Sequence, residues 1–401
     1  MAYQTVTKTS YGTRLKNSFG GIFTGFLLFI AGTALLFWNE GRTVKTTRML
    51  KEAQGQCVEL GDIAAVNADM NGKVVHASGL ATTEERIAYD TFGIGAVAIQ
   101  IAREVEYYQW VETSHSETKD KIGGGQETTT TYEYQREWVD EPVNSSAFAD
   151  PEYKDVNVVL RTYEDKNLLA SHVSFGAYRL PEGLTRQMRR WTNLPAEVPQ
   201  EILDPLNASL QSQEKVQVPM VQTSGNVLYL GQNPANPAVG DVRITFRQVL
   251  PGEVSLIAKV VNDTFEPFTA KNGYSLLTLQ DGTVSMDNMF QTEKEGNKTM
   301  GWILRIIAFL LILIGLRSIF DIVVTLLKVL PFLANIANLG IKLVTFVLAL
   351  AWTLVVFAIA WLFYRPVLGI ALLVAAGALI WLLAKRSKDA PVPTAPDGPA
   401  A

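Results

Sequence analysis

Residues 343–363 read LVTFVLALAWTLVVFAIAWLF, twenty-one positions whose only polar side chains are Thr345 and Thr353. At about 1.5 Å of rise per residue a helix of this length crosses a hydrocarbon core about 30 Å thick. Tyr364, Arg365 and Pro366 interrupt the run, and Val367–Leu383 resumes it for seventeen apolar residues, which predicts a tight hairpin of two spans. Trp361, Tyr364 and Arg365 suit a membrane interface. Upstream, the block 300–383 opens with a shorter span, 301–316, whose Arg305 lies near its start, where a long side chain can snorkel to the headgroups.

Between these spans, 317–330 carries Arg317, Ser318, Asp321, Thr325 and Lys328 among Ile, Phe, Val and Leu. At about 100° per residue the five polar positions share one arc, so the segment reads as an amphipathic helix. Arg317 and Asp321 are spaced to pair at i, i+4. Such a helix lies in the interface with its polar face wet, or turns a polar seam of Arg317, Asp321, Thr325 and Lys328 towards other helices or a water-filled cavity.

At the other end, the tail 1–18 holds Lys8, Arg14 and Lys16, and 19–38 is apolar for one bilayer width. Asn39 and Glu40 come next without a small-residue cleavage site, which points to an uncleaved anchor. Gly21 and Gly25 form a GxxxG, a spacing that lets helices approach closely. The intervening region 39–299 carries a charge near −12, against an overall −4. Lys8, Arg14, Lys16, Arg317, Lys328, Lys342, Lys385, Arg386 and Lys388 fall in short loops and tails on one side, so both termini are expected in the cytoplasm and 39–299 outside it or in a lumen. Arg42, Lys45, Arg48 and Lys51 argue the other way.

The region 39–299 is long enough for its own core. Strand signals fall at Lys73–Leu80, Asn226–Leu230, Val242–Leu250 and Val254–Val261, and the turn Leu250-Pro251-Gly252-Glu253 joins the last pair. Glu104–Glu112 and Thr130–Val139 form a hairpin, with Gly123, Gly124 and Gly125 in its polar tip. Its aromatics Tyr107, Tyr108, Trp110, Tyr132, Tyr134 and Trp138 are expected to face a core. Leu184–Trp191 and Pro199–Ser212 read as helices. The fold class is therefore α+β: a β-rich extracytoplasmic domain inserted between one N-terminal and three C-terminal transmembrane helices. The tail 384–401 has a disordered composition rich in Pro and Ala.

Chemistry is sparse. Cys57 is the only cysteine, so no intrachain disulfide or CxxC site exists. His76, His115 and His172 lack metal-ligand spacing, and no metal, cofactor or nucleic-acid site is expected. The adjacent pairs Glu84/Glu85 and Asp140/Glu141 would point to opposite faces of a strand, which disfavours paired acid/base work. Four Asn-x-Ser/Thr sequons begin at Asn144, Asn207, Asn262 and Asn297. Arg186, Arg189 and Arg190 beside Trp191 read as a solvated helix face or a lipid-headgroup contact.

Four motifs in order carry a resemblance: Asn39-Glu40-Gly41-Arg42; Tyr107-Tyr108-Gln109-Trp110; Asn233-Pro234-Ala235-Asn236-Pro237 with Gly240-Asp241; and Trp361-Leu362-Phe363-Tyr364-Arg365-Pro366. Together they resemble the transmembrane protein 43 (LUMA) family over nearly the whole chain. The short tail, the Pro/Ala-rich end and the scarcity of cysteine fit a bacterial member. The resemblance implies an integral membrane protein of the bacterial cell membrane, or of the endoplasmic reticulum or inner nuclear membrane in a eukaryote. It also implies self-association, organisation of membrane protein complexes and no established catalytic residue. The expected function is a non-enzymatic membrane scaffold, homo-oligomeric in the lipid bilayer. The alternative is an oligomeric ion channel or transporter built on the polar seam.

Overall fold

The computed structural model describes residues 3–328, 331–367 and 370, the side chains of 331–337 excepted. Two bodies result, one of residues 1–9, 48–121 and 126–295, the other of residues 10–47, 122–125 and the described residues from 296 onward. The longer helices are α1 (Tyr11–Gln56), α2 (Gln200–Glu214), α3 (Met286–Leu327) and α4 (Pro331–Tyr364). The strands that organise the first body are β1 (Tyr3–Thr9), β2 (Val58–Glu59), β3 (Val74–Thr82), β4 (Gln100–Asp120), β5 (Gln126–Val139), β6 (Val221–Ser224), β7 (Val227–Leu230), β8 (Val242–Val249), β9 (Gly252–Val261) and β10 (Thr278–Asp281).

The first body is a pair of sheets. One runs β1–β5–β4–β8–β7–β6, all antiparallel; the other centres on β9, flanked by β3 and β10, with β2 parallel to β3. Ile101, Val105 and Tyr107 recur at every second position of β4 with a similar row on β8, and both rows turn inward. They meet Val75, Ala77, Leu256 and Ala258 of the second sheet in one apolar cluster. The hairpin β4–β5 holds the register Glu112↔Tyr134 and continues well past the predicted ends. Its aromatics divide: Tyr107 is buried in the core, while Tyr134 stacks on Tyr153 at 4.1 Å and Trp110 meets the same ring edge-on at 4.9 Å.

Three local readings are corrected. The turn at Leu250–Glu253 does not close a hairpin, because β8 pairs with β4 and β9 pairs with β3. Both strands have apolar faces to bury, and the chain satisfies both by switching sheets at Pro251, which has no N–H to give a ladder. Leu184–Trp191 is not a helix: only Glu182–Thr185 is helical, and Trp191–Asn193 pairs with β8. Gln100 holds the departing backbone, its side-chain amide donating to the carbonyls of Thr185 (2.7 Å) and Met188 (3.1 Å). Third, the predicted break between 301–316 and an amphipathic 317–330 does not occur, since α3 runs without interruption to Leu327.

The tail read as separate from the middle domain supplies β1, in register with β5 from Tyr3↔Tyr132 to Thr9↔Gln126. A ladder cannot form across a bilayer, whose core tolerates no open polar strands. This ladder and a tail 1–18 held across the membrane from 39–299 therefore exclude each other.

The second body gathers the apolar helices. Among the described residues three helices are long and apolar enough to cross a membrane: Tyr11–Gln56, Met286–Leu327 and Asn338–Tyr364. The expected span 367–383 falls outside the described residues except for Val367 and Ile370, and 384–401 falls outside entirely. Helices α1 and α3 touch backbone to backbone: a Cβ on Gly25 would lie 2.6 Å from the Gly315 carbonyl oxygen, and one on Gly315 equally close to that of Gly25. Gly25 thus makes the close approach its spacing predicted. Leu36, Ala308, Ile312, Ala349 and Val356 fill the seam between α1, α3 and α4.

Candidate functional site

The residues that end the apolar part of α1 converge with two other helices. Glu40 has no solvent exposure. Its Oε1 accepts from Arg305 Nε of α3 at 2.7 Å, and its Oε2 accepts from Trp361 Nε1 of α4 at 3.0 Å. The Arg305 guanidinium lies 4.9 Å from the Trp302 ring centre and 5.5 Å from that of Phe357. Arg305 therefore turns inward to a carboxylate, and the snorkelling expected of it is corrected: a buried anion outcompetes the headgroups when the pair is also hydrogen-bonded.

Around this ion pair the other motif residues are consumed in contacts. Asn39 Nδ2 donates to the Gly301 carbonyl at 3.0 Å. Arg42 Nη1 donates to Asn297 Oδ1 at 3.2 Å, and Asn297 Nδ2 donates to the Thr43 carbonyl at 3.1 Å. Gly41 has no side chain because Tyr364 occupies its place: a Cβ there would sit 2.6 Å from the ring. Two motifs separated by about 320 residues, Asn39–Arg42 and Trp361–Tyr364, form one joint. Asn297 was read only as a sequon; it is 8 % exposed with its amide engaged, so it is no glycan acceptor. The signal available for Arg305 was a lone cation in one apolar span and a lone acid at the end of another.

The proposed polar seam is divided. Thr325 is buried and accepts from Ser18 Oγ at 2.8 Å; Asp321 Oδ2 lies 3.5 Å from Thr325 Oγ1; Ser318 Oγ donates to the Gly21 carbonyl at 2.8 Å. Arg317 is exposed and forms no ion pair with Asp321, and Lys328 is half-buried. Ser18, not singled out from sequence, completes this chain of hydroxyls between α1 and α3.

In the first body the remaining motif residues anchor a loop. The Tyr229 hydroxyl donates to the Asp241 carboxylate, which also accepts from Ala238 N at 2.8 Å. Tyr108 N donates to the Asp241 carbonyl (2.9 Å) and Gly240 N to the Tyr108 carbonyl (3.0 Å). Asn233 Oδ1 accepts from Ala235 N, shaping the turn through Pro234 and Pro237. Burial pushes the Asp241 carboxyl above the usual carboxylate range. Trp110 N is held by Asn157.

A polar groove of about 510 Å³ lies over β4 and β8 and is lined by four acids and two arginines: Arg243 Nε pairs with Glu106 at 2.7 Å and Arg247 with Glu104, Asp165 Oδ1 accepts from Val105 N at 2.7 Å, and Asp140 completes the lining. Among the described residues no group of three potential metal ligands forms. Cys57 packs against the cluster of Met49, Leu50 and Phe290, and burial pushes its thiol up to about 12, which disfavours the thiolate. His76 is enclosed between Glu59 Oε2 (2.7 Å) and the Val284 carbonyl (2.8 Å), tying β3 to the residues just after α1 and just before α3. Arg186, Arg189 and Arg190 are exposed, Arg186 paired with Glu182.

A family model described as transmembrane protein 43 matches residues 107–366. Transmembrane protein 43 of Homo sapiens is 31% identical over 396 residues, 96% of this chain and 94% of the relative. The Mus musculus protein is 31% identical over 387 residues, covering 94% and 92%, and a Drosophila melanogaster homologue is 28% identical over 379 residues, covering 89% and 92%. No solved structure matches the chain.

Proposed function

Since the chain belongs to the transmembrane protein 43 family, we propose that it acts as a non-enzymatic membrane scaffold, self-associated in the bilayer, with its acidic middle domain on the extracytoplasmic or luminal side and its C-terminal tail in the cytoplasm. The supporting observation is the fate of the motif side chains. Asn39, Glu40, Trp361 and Asp241 are occupied in helix–helix and loop–sheet contacts, and none presents an unengaged acid, base or nucleophile in a cleft. On this reading the bundle holds the chain in the bilayer and the surface of the outer domain binds.

The channel reading draws on the Ser18–Thr325–Asp321 chain. Since α1 and α3 touch backbone to backbone at Gly25 and Gly315, about two turns along α1 from Ser18, conduction on this reading would run between copies. Full-length protein in nanodiscs, weighed by native mass spectrometry, should give a discrete oligomer, and the same protein in liposomes should pass no more ions than empty vesicles. Ion flux that Asp321→Leu abolishes would replace the scaffold with the channel; a strictly monomeric mass would remove self-association from the proposal.

A further inference from the structure

Beside the end of α1, the sheet centred on β9 carries a pocket of about 380 Å³. Val74 of β3 and Phe268, both buried, line it, and the exposed Pro267 extends that apolar wall. Its polar lining includes Lys73, Lys259 and Gln56. The two lysines start one position apart: Lys259 of β9 is the ladder partner of Val74, and Lys73 is the residue before it. Lys73 is exposed and Lys259 half-buried. The backbone fixes both roots. Gly72, at φ +80°, donates its N–H to the Val260 carbonyl at 2.8 Å, Val260 N donates to the Lys73 carbonyl at 3.0 Å, and Lys73 N donates to the Met70 carbonyl at 3.0 Å.

Neither ammonium meets an acid. Among the described residues Lys73 and Lys259 make no ion pair and no side-chain hydrogen bond, although the region 39–299 carries an excess of acids. Glu266 is the ladder partner of Lys259 on its other side, and even it lies beyond ion-pair distance. The groove over β4 and β8 does the opposite, Arg243 and Arg247 there each taking a glutamate. Two cations on one concavity repel each other, whereas an anion between them is attracted by both. Lysine ammoniums bind phosphate oxygens as point charges, and the Gln56 amide adds a neutral donor at the same pocket. The wall of Val74, Pro267 and Phe268 gives an apolar group something to rest on, which a bare inorganic ion does not use. We infer that this pocket binds an organic phosphate, its phosphate between Lys73 and Lys259 and its apolar body against that wall. Every residue of the site belongs to the first body, so the inference is independent of the scaffold and channel readings.

The test titrates the full-length protein in phosphatidylcholine nanodiscs calorimetrically with phenyl phosphate. Saturable binding is expected, with inorganic phosphate and benzyl alcohol each about tenfold weaker or worse, since one lacks the apolar body and the other the charge. Lys73→Met with Lys259→Met should weaken phenyl phosphate by about tenfold or more, and Glu266→Gln should tighten it by about twofold. Lys73→Glu, at an exposed position, gives the same loss without touching the half-buried lysine and decides the matter if the double variant melts early. Phosphatidic acid added to the nanodisc separates two sources of the phosphate: weaker phenyl phosphate binding makes a lipid headgroup the occupant and unchanged binding a soluble ester, and either upholds the site. No saturable heat at millimolar phenyl phosphate, or binding that the lysine variants leave unchanged, would overturn the proposal. Benzyl alcohol or inorganic phosphate binding as tightly as the ester would overturn it too, by removing the charge or the apolar body from what the pocket selects.

Discussion

A carboxylate with no solvent exposure at the end of an apolar helix persists only while its charge is matched and both oxygens are engaged. Glu40 meets that condition through Arg305 and Trp361. Glu40→Leu or Arg305→Met alone orphans the surviving charge and should cost about 3–5 kcal/mol, whereas the double variant should lose far less than the sum because no charge is left unmatched. Unfolding in mixed micelles followed by circular dichroism measures the cycle; additive losses would mean the two side chains do not depend on each other. Asp241 offers a test by pH. Burial raises its folded pKa, so the folded state binds the proton more tightly than the unfolded chain. Its contribution is greatest in acid and is lost as pH climbs from the unfolded carboxylate value through the raised one. The melting temperature of wild type relative to Asp241→Asn should therefore fall across that window and level off above it. A constant difference would show that the two states hold this proton equally. Both residues were visible in sequence as members of motifs. Their partners were not: nothing in 361–364 announces that Trp361 serves a carboxylate 321 residues earlier.

At the scale of elements, the join between α1 and α3 is a contact of glycines, and it discriminates sharply between neighbours. A Cβ on Gly25 meets the Gly315 backbone, while one on Gly20 meets nothing within 4 Å. Gly25→Leu should separate the helices and lower stability by about 2 kcal/mol or more, against a change within about 0.5 kcal/mol for Gly20→Leu. Equal effects of the two would contradict this crossing. The crossing was legible in part, because Gly21 and Gly25 are spaced for it; the partner Gly315 was not, since it sits unremarked in an apolar run. The hairpin β4–β5 was legible from its alternation. The course of the chain at Pro251 was not, because a Pro-Gly turn between two strands reads alike whether the strands pair or part. The polar positions 317–328 suggested a helix lying in the interface, and periodicity alone cannot distinguish that from the last turns of a continuous α3 with Thr325 facing Ser18.

Over the whole molecule, composition predicts four membrane spans, three of which fall on described helices long and apolar enough to cross, and the structure supplies what joins those three. The N-terminal strand sets one condition on any orientation: Val6 and Thr129 are ladder partners, so cysteines at those positions, with Cys57→Ser, should react with an impermeant maleimide from the same side of the membrane. Labelling from opposite sides would exclude the ladder and restore the separated tail. The central claim is that Asn39–Arg42 and Trp361–Tyr364 lock α1, α3 and α4 into one body. Hydrogen–deuterium exchange on the full-length protein in nanodiscs, wild type against Glu40→Leu, tests it most directly. Faster exchange confined to residues 39–47, 297–305 and 357–364, with the two sheets unchanged, is the outcome the lock predicts; unchanged exchange in all three helices would contradict it.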